Sequence, residues 1–309
     1  MADGNINVYD REIEYFHFLS AGSSVNVYSG AIHGRECVIK ELAPVGLFER
    51  NMIKRTERNR IVVQSSLSAI RTWHMARARF LSAYDLNRKL QEDEALSPFI
   101  VPVHHCVRAN GTLYSISFGK PGQPLNTLRS IAAEDILRLG IRIANMTARI
   151  HQLGWLVVDI KPSNYILSEE GAKPVVQLTD LDSAVAIRKA RRTRKFMCSN
   201  ETAAPEMMNG EGKLAGTQSD VYSIAAMILN ALAKHPLTRP PAILFDERVR
   251  PLLREWRSAS VEALRDILTG ALRADPSERI HACETLANAL REVCEMEGID
   301  HEDLFSQRG

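Results

Sequence analysis

Apolar and polar positions alternate over the first forty residues, and then the period changes. Glu14-Tyr15-Phe16-His17-Phe18-Leu19 and Val25-Asn26-Val27-Tyr28 predict two strands. Cys37-Val38-Ile39-Lys40 predicts a third, after a turn at His33-Gly34-Arg35. Residues 47–96 are long, charged and poor in Gly and Pro. Ile70, Trp73, Ala76, Phe80, Leu81, Tyr84 and Leu90 recur there at roughly helical spacing, so the stretch is expected to be helical. Strand patterns return at residues 99–103 and 113–118, and Gly119-Lys120-Pro121-Gly122-Gln123-Pro124 predicts a hinge. Beyond Glu134 the patterns predict helices at about 136–153, 219–232, 261–272 and 283–294. The second of these is apolar on nearly all faces, which predicts burial in the middle of a domain. The expected fold class is α+β, a small strand-rich lobe and a larger helical lobe with a cleft between them.

Composition alters this picture little. The 39 basic and 37 acidic residues nearly cancel, so no global pull towards nucleic acid or membrane follows. No stretch approaches the ~18–20 consecutive apolar residues of a membrane-spanning helix. The first residues also lack an apolar block behind a basic head, so a cytoplasmic location is expected. Five scattered cysteines without metal-ligand spacing predict reduced thiols. Charge matters locally. Residues 188–195 hold six basic side chains in eight, and Arg50, Lys54, Arg55, Arg58 and Arg60 form a second cluster. Each is either a solvated face or a contact for an acidic substrate, a partner or nucleic acid.

The chemistry concentrates at Val158-Asp159-Ile160-Lys161-Pro162-Ser163-Asn164. An acid, a lysine two residues on and an amide five residues on suit phosphoryl transfer. The acid accepts or orients a hydroxyl proton, the lysine offsets charge on the moving group, and the amide oxygen ligates a metal. Leu178-Thr179-Asp180-Leu181-Asp182 follows and supplies a carboxylate for Mg²⁺.

Asp159 to Asn164 resembles the catalytic loop of eukaryotic-type Ser/Thr protein kinases, and Asp180-Leu181-Asp182 resembles their metal-binding Asp-Phe-Gly. Leu19 to Tyr28 is similar to the loop that covers the phosphates, and Val38-Ile39-Lys40 to the strand carrying the ATP-binding lysine. Ala204-Pro205-Glu206, Ser219-Asp220-Val221-Tyr222-Ser223 and Asp275-Pro276-Ser277-Glu278-Arg279 resemble three further family motifs in the family's order. The resemblance implies a kinase small lobe over 1–120, with a long helical insertion at about 47–96, and a large lobe over 121–309. It implies ATP and Mg²⁺ as cofactors, with Asp159 as catalytic base and Lys161 as partner of the γ-phosphate. Asn164 and Asp180 are the implied metal ligands. Ser20, Gly22, Val27, Lys40, Ser117, Phe118 and Lys120 are the implied nucleotide contacts. Ser199 falls where Ser/Thr kinases place a hydroxyl that bonds the catalytic loop, and Arg279 is expected to pair with Glu206.

The chain also departs from the family. Val157-Val158 stands where His-Arg precedes the aspartate, so control through a phosphate on the activation segment is not expected. Only Gly22 remains of three loop glycines, with Ser20 and Val25 at the other positions. The acid expected to pair with Lys40 is Asp85, with Glu92 and Glu94 as alternatives. The function expected is an ATP- and Mg²⁺-dependent Ser/Thr protein kinase acting on a protein, acidic if the basic clusters touch it. The alternatives are a pseudokinase or scaffold without turnover and a small-molecule phosphotransferase of similar fold. Lys161 and Ala204-Pro205-Glu206 favour a protein acceptor over the last.

Overall fold

The computed structural model describes residues 7–8, 11–168 and 174–302. It divides into two compact units, Met1–Gly122 and Gln123–Gly309.

The first unit contains β1 (Asn7–Val8), β2 (Arg11–Ala21), β3 (Val25–Ile32), β4 (Arg35–Leu42), α1 (Val45–Glu49), β5 (Ile53–Arg55), β6 (Ile61–Val63), α2 (Leu67–Gln91), β7 (His105–Ala109) and β8 (Thr112–Phe118). Six of these strands form one antiparallel sheet in the order β1-β2-β3-β4-β8-β7, and β5 and β6 make a separate hairpin. Two tight turns fix the sheet's register. His33 and Gly34 have φ of 52° and 70°, and Asn110 and Gly111 have 51° and 76°, as two-residue hairpin loops require. At Gly111 a side chain is also excluded by contact, since a Cβ would lie 2.0 Å from the Ile61 carbonyl oxygen.

The sheet buries both faces. Val25, Leu42 and Leu113 on one face pack with Ile53 and Ile61 of the hairpin and with Trp73 and Phe80 of α2. Ile32, Cys37, Ile39, Tyr114 and Ile116 form a core on the other face. Residues 47–96 are therefore not uniformly helical. A hairpin precedes a single 25-residue helix, because Asn51 and Asn59 take the left-handed conformation and turn the chain. Nor do residues 99–103 form a strand. Pro98 and Pro102 withhold ladder donors, and the side chain of Asn87 takes the strand's place. Its Nδ2 donates to Val101 O at 2.8 Å, and its Oδ1 accepts from Val103 N at 2.9 Å. The ladder begins at His105 instead.

The second unit contains β9 (Gln123–Pro124), α3 (Ala133–Gln152), β10 (Trp155–Leu156), β11 (Tyr165–Ser168), β12 (Val175–Leu178), β13 (Val185–Ala186), α4 (Ile187–Ala190), α5 (Pro205–Met208), α6 (Thr217–Ala233), α7 (Pro241–Leu244), α8 (Ser258–Ala271) and α9 (Cys283–Glu297). The four long helices fall within a few residues of their predicted spans. Helix α6 is buried along nearly its whole length, as its all-round apolarity predicts. Helix α3 approaches it closely at Gly140, where a Cβ would lie 2.5 Å from Ile228 Cδ1. Among the described residues no helix is long and apolar enough to cross a membrane. All five cysteines are free thiols.

Candidate active site

The loop between β10 and β11 is shaped by one buried carboxylate. Asp220, in the first turn of α6, is fully buried and accepts from Val157 N at 2.8 Å and Val158 N at 2.9 Å. His151 Nε2 lies 2.8 Å from Oδ2, the oxygen that also accepts from Val157 N. Held this way, Val158 takes φ of 73°, a left-handed conformation that a β-branched residue rarely adopts. Its side chain packs with Leu156, Phe196, Ala204 and Met207. The next residue, Asp159, turns back so that its N–H donates to Val157 O at 2.9 Å.

Asp159 has two unlike carboxylate oxygens. Oδ2 lies 2.6 Å from Lys161 Nζ and accepts from Asn164 Nδ2 at 3.2 Å. Asn164 Nδ2 also donates to the Asp159 carbonyl at 2.7 Å. Oδ1 is buried and has no hydrogen-bond partner. A buried acceptor without a donor costs about 1–3 kcal/mol, so this oxygen stands out from the paired Oδ2.

The antiparallel pair β11 and β12 joins this loop to Asp180. Tyr165 pairs with Leu178, and Asn164 O accepts from Thr179 N at 2.9 Å and Thr179 Oγ1 at 3.2 Å. Asn164 and Asp180 thus stand at the same end of the pair. Asp180 Oδ1 accepts from Asp182 N at 2.8 Å, an Asx-type turn that gives Asp182 a structural place. With both Asn164 Nδ2 hydrogens directed to Asp159, its Oδ1 and the remaining Asp180 oxygen form an all-oxygen donor pair. Such a pair fits Mg²⁺, which takes one or two protein ligands and completes its shell with water and phosphate. The described residues hold no cluster of three His, Cys, Asp or Glu side chains that would cage a metal alone.

Downstream, Glu206 of α5 and Arg279 form a buried bidentate pair at 2.7 and 2.8 Å, as the resemblance implies. Ser219 Oγ donates to Glu206 Oε1 at 2.6 Å. One expectation needs correction. The hydroxyl that bonds the catalytic loop belongs to Thr202, whose Oγ1 donates to Ile160 O at 2.7 Å. Ser199 instead contributes its carbonyl, which accepts from Thr202 N and Ala203 N.

In the first unit, strand register assembles another set. Ser20 pairs with Val27, Val27 with Lys40, and Lys40 with Ser115, so these four share one face in a row across β2, β3, β4 and β8. Ser117 lies on the same face, two residues beyond Ser115. Gly22 is exposed in the turn between β2 and β3, and a Cβ there would meet Val25 O only at 3.4 Å. Phe118 belongs to the opposite face. Arg35 lies 4.3 Å above its ring, and its N–H donates to His104 Nδ1 at 3.2 Å. Lys120 is exposed, as are Asp85, Glu92 and Glu94.

Glu41 carries no mark in the sequence. It is 1% exposed and accepts from Arg55 at 2.9 and 2.8 Å, Tyr28 and Tyr114 at 3.0 Å, and Asn26 at 3.2 Å. Burial alone would raise its pKa, but the hydrogen bonds and charge of Arg55, with Asn26 and Tyr114, hold it below the usual value. In sequence a single acid after Lys40 reads as a solvent-facing strand residue.

Residues 52–290 match the family model for the protein kinase domain. Calcium-dependent protein kinase 31 of Arabidopsis thaliana is 26% identical over 166 residues, 52% of this chain and 34% of that protein. Ribosomal protein S6 kinase alpha-2 of Homo sapiens is 32% identical over 153 residues, 47% of this chain and 20% of that protein. Tribbles homolog 2 of Canis lupus familiaris is 27% identical over 174 residues, 55% of this chain and 50% of that protein. The chain thus spans half or less of these relatives' lengths. Among solved structures, the apo form of PpkA-294 superposes with a TM-score of 0.64 at 20% identity, covering 94% of this chain and 99% of that one. The PknI kinase domain of Mycobacterium tuberculosis gives 0.59 at 16%, covering 95% of this chain and 99% of that one. At such identities the likeness establishes the fold, and its coverage exceeds that of the family model, which begins after β4.

Proposed function

The chain belongs to the protein kinase domain family, and from that premise we propose that it transfers the γ-phosphoryl group of ATP to a serine or threonine hydroxyl of a protein. The observation that carries this reading is the asymmetry of Asp159. Oδ2 is held by Lys161 and Asn164, while Oδ1 is buried with no donor of its own.

In this reading Asp159 Oδ1 accepts the proton of the acceptor hydroxyl as its oxygen attacks phosphorus in line. Lys161 keeps the carboxylate oriented and offsets negative charge on the moving phosphoryl group. Asn164 and Asp180 would hold Mg²⁺, which when bound draws charge from the phosphates. Ser20, Gly22, Val27, Lys40 and Ser117 would form the nucleotide face of the sheet, with Lys40 on the phosphates. Phe118 and Lys120 would contribute backbone, and the Phe118 carbonyl is the group to consider because its N–H is already donated. The two units would be the family's small and large lobes. Thr202, bonded to the catalytic loop, now supports the serine or threonine preference that Ser199 was expected to support.

The test is Mg²⁺-dependent transfer of labelled γ-phosphate onto the protein itself and a generic protein acceptor. Asp159→Asn and Lys40→Met should each lower incorporation at least about a hundredfold, with phosphoserine or phosphothreonine as product. Wild-type turnover in Asp159→Asn would sink the assignment. An ATP-dependent rise in melting temperature without any incorporation would favour a nucleotide-binding scaffold, a reading supported by Val25 and Val158 standing at family glycine and arginine positions.

A further inference from the structure

The densest charge run of the chain folds into a shaped site. Arg188, Lys189, Arg192 and Thr193 line a depression of about 590 Å³ on the second unit. All three cations are exposed, and none is paired with a carboxylate among the described residues. We propose that this depression binds a phosphate group already present on the peptide substrate, so that the enzyme prefers phosphorylated acceptors. The proposal rests on the phosphotransferase reading, whose substrate class it names.

A solvated loop would not hold three cations in one place, but this segment is fixed. Arg192 N donates to Lys189 O at 3.0 Å, Thr193 N to Ala190 O at 2.9 Å, and Thr193 Oγ1 to Lys189 O at 3.1 Å. Ala190 and Phe196 anchor the turn in the core, at 0% and 6% exposure. On the other side the 210–212 backbone lies directly against it. A Cβ at Gly212 would stand 2.1 Å from Thr193 O and 2.5 Å from Ala190 O. Because the backbone that carries the cations is fixed, little loop ordering opposes binding. Ala190 and Phe196 also share a hydrophobic cluster with Leu156 and Val158, which lead into Asp159. The depression and the catalytic loop therefore belong to one packed body.

The chemistry selects a phosphate monoester. At neutral pH it carries about −1.5 to −2 charges and three acceptor oxygens, matching two guanidinium forks and an ammonium better than one carboxylate does. The lining contains no aromatic ring, whereas grooves for single-stranded nucleic acid stack bases on aromatic side chains.

The experiment uses the whole chain and a set of labelled acidic serine peptides. Each carries one phosphoserine at a different distance from the acceptor and has an unphosphorylated twin. Anisotropy titration should show at least one phosphopeptide binding roughly tenfold tighter than its twin, equivalent to about 1.4 kcal/mol. That ratio should fall towards one in Arg188→Ala/Arg192→Ala and in Thr193→Glu, which fills the site with its own negative charge. Unchanged melting temperatures would exclude misfolding. Equal affinities for every pair would overturn the proposal, and so would a preference that survives both variants. So would tight binding of a single-stranded oligonucleotide or anionic vesicles with no phosphopeptide preference. Phosphoryl transfer to the twins, measured alongside, separates the two readings. Transfer without phosphate preference removes only this inference. Phosphate-dependent binding without transfer keeps the site and removes the kinase assignment.

Discussion

Replacing Arg55 by alanine tests how the hairpin of β5 and β6 supports the strand that carries Lys40. Arg55 makes two charge-assisted hydrogen bonds to Glu41, whose side chain is 2% exposed, while that of Arg55 is 28% exposed. Losing one partner of a fully buried pair costs about 3–5 kcal/mol, and partial exposure of Arg55 lowers this to about 2–4 kcal/mol. Tyr28, Tyr114 and Asn26 remain as donors and keep the loss at that level. Urea unfolding followed through Trp73 reads the effect, because Trp73 packs with the hairpin residues Ile53 and Ile61. Trp155 and Trp256 are changed to Phe so that only the first unit reports. Adding Glu41→Gln closes a double-mutant cycle, with an expected coupling of about 1.5–3 kcal/mol. The pH dependence has a definite sign. Glu41 is held below its ordinary value of 4.5, so its stabilisation is complete above that pH and is lost as pH falls through the lower folded value. The gap between wild type and Arg55→Ala should therefore be steady near neutrality and narrow below about pH 4.5. A single-variant cost under about 0.5 kcal/mol, or coupling near zero, would refute the hairpin's anchoring role.

Three further outcomes follow from contacts described above. Thr202→Val should cost about 1–3 kcal/mol in thermal unfolding and lower phosphoryl transfer, because it leaves Ile160 O without its donor; Ser199→Ala should change both far less. Gly140→Val should destabilise by about 1–3 kcal/mol or more, since Ile228 and Leu290 occupy the space its side chain needs. Gly270→Ala, in α8 with nothing within 4 Å of the added carbon, should raise stability by roughly 0.5–1 kcal/mol in the same melts.

What the sequence made legible was local. The carboxylate, lysine and amide of Asp159-Ile160-Lys161-Pro162-Ser163-Asn164 lie within one loop, so their spacing already constrains their geometry. Helices α3, α6, α8 and α9 announce themselves by period because each buries a stripe or a whole surface. The rest depends on partners distant in the chain. Glu41 meets Arg55 and Tyr114 only after β4, β8 and the hairpin have formed, and nothing around Lys40 marks the next residue as buried. Thr202, not Ser199, bonds the Ile160 carbonyl, a contact across 42 residues that gap-free counting cannot register. Residues 99–103 have the apolar content of a strand, yet the amide of Asn87 satisfies their backbone more directly than a neighbouring strand could.

The same distinction explains why the loop that carries Asp159 tolerates Val157-Val158 in place of the family's His-Arg. What shapes the backbone leading into Asp159 is the pair of Val157 and Val158 amides that donate to Asp220, and those bonds are indifferent to the side chains attached. The left-handed conformation of Val158 costs about 1–3 kcal/mol. Hydrogen bonds to a charged acceptor contribute about 1.5–3 kcal/mol each, and full burial of a valine contributes a similar amount. Two such bonds and a side chain at 1% exposure exceed the strain, so the conformation persists without an arginine at position 158. An arginine at position 158 would therefore be dispensable for holding the loop. Its loss removes a partner for a phosphate near Asp159 while leaving the carboxylate's orientation intact. Arg188, Lys189 and Arg192 gather further positive charge on a turn whose Ala190 and Phe196 belong to the same hydrophobic cluster as Val158.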